Sequence, residues 1–134
     1  MTWTVFLHPA MLVGLGCAAG GVARLYLGKG VNAQPWADGF PWATGIINIL
    51  GSFLLGILAE LYLERKSSEF RHEMYLLLGT GFCGGFTTFS TFSLELLHLL
   101  RDNSFWPPAA YALGSVLLAL AAAWLGIKLV QSIP

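Results

Sequence analysis

The chain has 134 residues, 56% of them hydrophobic and only 10% charged, with a mean hydropathy of +0.69. That is the composition of a single small membrane domain, not of a soluble one. Seven basic and seven acidic side chains cancel, so the basic footprint of a nucleic-acid binder is excluded. Four apolar segments, at about residues 9–27, 42–63, 74–100 and 107–130, each approach the ~20 residues that span a bilayer.

The first segment carries no Lys or Arg before its apolar run, so it does not read as a cleaved signal. Its small residues, Gly14, Gly16, Cys17, Ala18, Gly20 and Gly21, predict tight helix packing. Arg24, near its end, either snorkels to the interface or draws anions toward a vestibule. Cys17 and Cys83 both sit in apolar surroundings and read as small packed hydrophobes rather than a disulfide or metal site. A polar connection with Pro35, Asp38 and Pro41 leads to the second segment. There Gly45, Asn48, Ser52 and Gly56 share one helical face. Asn48, an amide inside an apolar span, is either helix glue or a donor to an anion.

The connection Glu64 to Glu73, ERKSSEFRHE, holds the densest charge. The third segment then runs through GTGFCGGFTTFSTFSLE, from Gly79 to Glu95. Unpaired polar groups in hydrocarbon cost several kcal/mol, so this stretch must face protein or a watery path. Gly84-Gly85 followed by β-branched threonines predicts a break between Gly84 and Thr88, with a Cβ at Gly84 crowding it. On an unbroken helix Thr88, Thr91 and Glu95 share a stripe, and Glu95 is then either a proton relay or an acceptor for those hydroxyls. Phe89 and Phe92, three residues apart, pack a core or turn polarised ring edges to an anion. The fourth segment opens at Pro107-Pro108 and places Tyr111 and Ser115 on one face. Trp3, Tyr26, Trp36, Trp42, Tyr62 and Trp106 mark segment ends as an aromatic belt.

With four spans, one side of the membrane holds Arg65, Lys66, Arg71 and Lys128, and the other Arg24, Lys29 and Arg101. That difference scarcely orients the chain by its basic residues. Either one orientation is set by other features, or both occur and two copies pair antiparallel.

Three stretches carry a resemblance: GGVARLYLG from Gly20, GIINILGSFLLG from Gly45 and GFCGGFTTFSTFSLE from Gly81. The chain resembles the Fluc-type fluoride channels (the CrcB family) over nearly its whole length. The resemblance implies an all-α membrane fold of four helices with the third broken, assembled as an antiparallel dual-topology homodimer. It implies passive fluoride export across the bacterial inner or plasma membrane through two pores. Phe89 and Phe92 would line each pore, and Asn48 would donate to fluoride. Tyr111 and Ser115 would form a polar track, with Ala119 standing where some members carry Ser. Thr44, Arg24, Thr88, Thr91 and Glu95 would belong to the pathway. Backbone carbonyls of Gly84 and Thr87 would hold a structural sodium, Na+, on the dimer axis. The rival class is a proton-coupled small multidrug exporter, also small and four-span, but dependent on a carboxylate in a first span that here has none.

Overall fold

Near-continuous apolar sequence makes this chain helical wherever it can satisfy its own backbone. The computed structural model describes residues 8–64, 69–102 and 104–133, so Trp3, Arg65 and Lys66 of the belt and charge readings lie outside the described residues. Helix α1 (Pro9–Asn32) starts on a proline whose missing N–H costs nothing there, and the His8 side chain accepts from the Ala10 N–H. A 3₁₀ turn (Pro35–Ala37) and Gly39, at φ 80°, reverse the chain into α2 (Trp42–Ala59), which runs on through a wider π turn (Glu60–Glu64). Short α3 (Glu69–Met74) leads into a π-helical stretch (Tyr75–Cys83), then one turn, α4 (Gly84–Phe86). After two extended residues come α5 (Phe89–Arg101) and α6 (Trp106–Gln131).

Three helices among the described residues are long and apolar enough to cross a membrane: Pro9–Asn32, Trp42–Leu63 and Trp106–Gln131. The third predicted segment is divided instead. Its glycine-rich half winds wide, and Thr87 and Thr88 leave the helix altogether.

Two helix pairs organise the fold. Helix α1 packs on Tyr75–Cys83 and α4, and α2 packs on α6. Both contacts are backbone on backbone. A Cβ on Gly16 would strike the Leu77 carbonyl, and one on Gly20 the Phe82 carbonyl. Gly56 faces the Ala123 carbonyl, and Gly126 faces that of Phe53. Small residues supply this closeness because lipid gives no hydrophobic drive between helices. Large apolar side chains accordingly point outward, among them Leu15, Leu25, Leu117 and Trp124. Cys17 and Cys83 are both free thiols.

The contact glycines are not all those expected. At Gly14, Gly21 and Gly45 an added methyl would meet nothing within 4 Å, whereas Gly51 abuts the Thr87 side chain. Gly84 is likewise open, so a Cβ there crowds nothing within the chain. Its neighbour Gly85 is the jammed position, directly against the Cys17 backbone. The two differ because α1 covers only one side of α4.

Helix α5 stands apart. Its sole buried residue is Phe92, while Leu94, Leu97 and Leu100 are exposed. Replacing Gly20 or Gly85 with Val should destabilise the folded chain by ~1–3 kcal/mol or more through overpacking. Gly21→Val should cost much less. Unfolding in detergent with a graded denaturant measures both, and equal losses at all three positions would contradict the contact assignment.

Candidate functional site

The polar features of the chain converge where the helix stops. Thr87 (φ −83°, ψ 160°) and Thr88 (φ −152°, ψ 120°) are extended, the conformation that β-branched residues favour. The Thr87 N–H and its hydroxyl both donate to the Cys83 carbonyl at 2.9 Å, which closes α4. Thr88 then caps α5: its hydroxyl oxygen accepts from the Thr91 N–H at 3.2 Å.

Asn48 of α2 completes the junction. Its Oδ1 accepts from the Thr88 N–H at 2.9 Å, and its Nδ2 donates to the Thr88 carbonyl at 3.1 Å. One side-chain amide thus serves both backbone groups of one residue, as a neighbouring strand would. In an unbroken helix the Thr88 N–H would go to the Gly84 carbonyl. Its capture by Asn48 releases that oxygen. The Thr91 N–H, captured by the Thr88 hydroxyl, likewise releases the Thr87 carbonyl, which accepts instead from the Arg24 guanidinium at 3.5 Å.

Around the junction the hydroxyls form a chain. The Thr88 hydroxyl lies 3.0 Å from that of Thr91 and 3.3 Å from that of Ser90. Ser93 donates to the Phe89 carbonyl one turn back. Asn48, Thr88, Phe89, Phe92 and Ser115 border one open cleft of about 260 Å³. The two rings lie 5.7 Å apart, yet in unlike settings: Phe92 is 9% exposed and Phe89 79%.

Glu95 does not serve the Thr88–Thr91 stripe. Because Thr88 sits outside the helix, the hydroxyls pair among themselves, and Glu95 turns to other elements. Its Oε1 accepts from the Thr44 hydroxyl of α2 at 2.9 Å, and its Oε2 from the Tyr111 hydroxyl of α6 at 2.6 Å. Tyr111 is buried between the Phe92 ring at 5.0 Å and the Phe40 ring at 5.5 Å.

A second cleft, about 240 Å³, shares Ser115 with the first and includes Tyr111. A third, about 190 Å³, shares Phe40 and Pro41 with the second and reaches Glu95. Ala119 borders the first cleft, where the hydroxyl track ends. Among the described residues, no Lys or Arg lines any of the three. The structure therefore gathers Asn48, Thr88, Phe89, Phe92 and Ser115 at one cleft and Thr44, Glu95 and Tyr111 beside it. Thr91 joins the hydroxyl chain, Thr87 borders the first cleft, Arg24 reaches only the Thr87 carbonyl, and Gly84 faces outward. Phe40, Ser52, His98 and Asp102 also line these clefts, beyond the residues that the sequence marks for the pathway. For His98 and Asp102 a signal exists, since they follow Glu95 at i+3 and i+7 on one face. For Phe40, in a connecting turn, no periodicity marks it.

Comparison with known proteins extends this reading. The family profile described as "CrcB-like protein, Camphor Resistance (CrcB)" matches residues 11–127. A protein of Phenylobacterium zucineum named "Fluoride-specific ion channel FluC" is 44% identical over 128 residues, covering 95% of this chain and 98% of its own length. A protein of Nitrobacter winogradskyi with the same name is 41% identical over 134 residues, covering 99% of this chain and 100% of the relative. One from Prosthecochloris aestuarii, again of that name, is 40% identical over 121 residues, with 90% and 91% covered. Similarity of this extent, running through the interrupted helix and all three flanking helices, means that the chain belongs to the CrcB family.

Proposed function

We propose that this chain is a fluoride-selective channel through which cytoplasmic fluoride leaves the cell passively. The observation that carries the reading is the first cleft, where hydroxyls, an amide and phenyl rings meet in a membrane protein with no basic side chain among the described residues of the wall. A small, strongly hydrated anion must exchange its water for other donors. Neutral donors and ring edges replace hydration without the trap of a buried cation, and conduction needs sites weak enough to leave. The relatives' name for a fluoride channel points the same way.

In this reading Asn48 supplies the amide hydrogen that Thr88 does not use, Phe89 and Phe92 supply ring edges, and Ser115 carries the anion onward past the Tyr111 ring, whose hydroxyl proton is given to Glu95. Thr44 and Tyr111 hold Glu95, and Thr88 and Thr91 form the hydroxyl wall. Arg24 draws anions from the flank. The divided third segment makes the fourth crossing, and two chains in opposite orientations close two pores between them. The bareness of α5 and the exposed Phe89 ring support a partner there. The Gly84 carbonyl, released by Asn48, and the second lone pair of the Thr87 carbonyl, beside its 3.5 Å contact with Arg24, are hard oxygen donors that suit an alkali cation, and two chains would offer four such oxygens. A sodium ion bound there would staple the subunits by neutralising converging carbonyl dipoles. A multidrug exporter is not favoured, because no carboxylate lies in α1.

The first test is fluoride efflux from liposomes, measured against chloride without a pH gradient. Phe89→Ile and Phe92→Ile keep bulk but remove the ring edge, and each should lower fluoride flux about tenfold, as expected for ~1.4 kcal/mol of ring-edge interaction. Unchanged flux in both would remove the rings from the mechanism.

Orientation has its own test. Two Lys added between Glu64 and Glu73 should bias insertion, reduce activity, and be rescued by co-expressing an oppositely biased copy. Full activity of the biased copy alone would contradict antiparallel pairing.

For the cation, dimer mass in detergent is followed while sodium replaces a bulky organic cation at constant ionic strength. The dimer should strengthen with sodium by mass action. A dimer indifferent to sodium, with full flux in its absence, would eliminate the central ion.

A further inference from the structure

The third cleft is the way in to Glu95. Its walls are the turn at Phe40 and Pro41, one face of α5 bearing Glu95 and His98, and Asp102 just past the end of that helix. Helix geometry puts Glu95 and His98 on a common stripe, and Asp102 at the helix end joins them in the cleft lining. Glu95 is half-buried at the inner end, tied to Thr44 and Tyr111. His98 and Asp102 are exposed at the rim, where α5 ends and a connection between spans turns. The rim therefore lies at the aqueous boundary.

Its charge is the wrong sign for an anion path. Glu95 and Asp102 are acids, and Asp38 immediately precedes the turn that forms the opposite wall. Gly39, Phe40 and Pro41 bring no ionisable group, and α2 and α6 reach Glu95 only through the hydroxyls of Thr44 and Tyr111. Arg101, the nearest cation in sequence, stands roughly 100° round the helix from Asp102. Among the described residues of this lining, His98 is the one basic side chain. Histidine is the side chain whose ordinary charge change falls between pH 5 and 8.

We propose that His98 and Asp102 set the rate at which anions enter this end of the pathway, with His98 as its titratable element. A protonated His98 offsets the flanking carboxylates and admits the anion. A neutral His98 leaves the rim negative and slows entry. The effect acts on arrival, not on selectivity, since neither residue reaches the cleft of Phe89 and Phe92. The proposal rests on the reading of these clefts as an anion path.

The test uses the full chain in liposomes, with fluoride efflux recorded at equal pH on both sides, stepped from about 8 to about 6. Flux should rise about threefold, the scale of one unit charge acting across a short watery distance. His98→Gln should abolish the rise, and His98→Arg should hold flux high at every pH. Asp102→Asn should raise flux about threefold at the alkaline end and flatten its dependence on ionic strength, which a merely structural role would not alter. A wild-type pH response in His98→Gln, or unchanged flux and salt dependence in Asp102→Asn, would overturn the assignment. A wild-type chain with no fluoride flux at any pH would instead defeat the channel reading itself.

Discussion

A backbone that leaves its helix inside a membrane must find every lost hydrogen bond within the protein. Asn48 meets that requirement where the third segment breaks. By pairing with both the N–H and the carbonyl of Thr88, it makes two extended residues tolerable between α4 and α5. The rest of the site follows. The released carbonyls of Gly84 and Thr87 exist because Asn48 and the Thr88 hydroxyl take their partners. The Phe89–Phe92 pair turns toward the first cleft because α5 restarts with Thr88 as its cap. The alternatives of glue and donor for Asn48 are therefore not exclusive, since an amide nitrogen with two hydrogens has one for each.

Close backbone approach is the second organising constraint. Gly16, Gly20 and Gly85 weld α1 to the segment just before the break, while Gly56 and Gly126 weld α2 to α6. Helix α5 is attached to neither pair in this way. It is held by polar contacts instead, through Glu95 to Thr44 and Tyr111. The half of the third segment before the break is thus fixed by packing and the half after it by hydrogen bonds. A cleft between unlike halves can present donors without being filled by side chains.

Much of this was legible in the sequence, because membrane length and glycine content are strong local signals. Three of the apolar segments are continuous helices near the expected bounds, and the interruption falls at Thr87 and Thr88, inside the stretch that Gly84-Gly85 and the threonines marked. What was not legible depended on tertiary placement. A helical wheel drawn through Thr88, Thr91 and Glu95 assumes a helix that starts before Thr88, and the helix starts after it. Glu95 consequently looks to α2 and α6, which no periodicity within its own segment reveals. The choice between Gly84 and Gly85 likewise turns on which side α1 covers, and adjacent identical residues carry no such information. Phe40 enters the site from a turn, where spacing has no meaning.

The exposed Phe89 ring has a consequence for the cell. In the proposed antiparallel dimer, a site bordered by a side chain that one copy leaves open is finished only when the second copy arrives. Where two chains complete each pathway, the number of working pores at low abundance rises with the square of the chain's density in the membrane. Halving expression then cuts transport capacity about fourfold, by mass action alone. For that proposed assembly the dose of gene product, and not only the chemistry of the cleft, becomes a steep determinant of how much anion the membrane can pass.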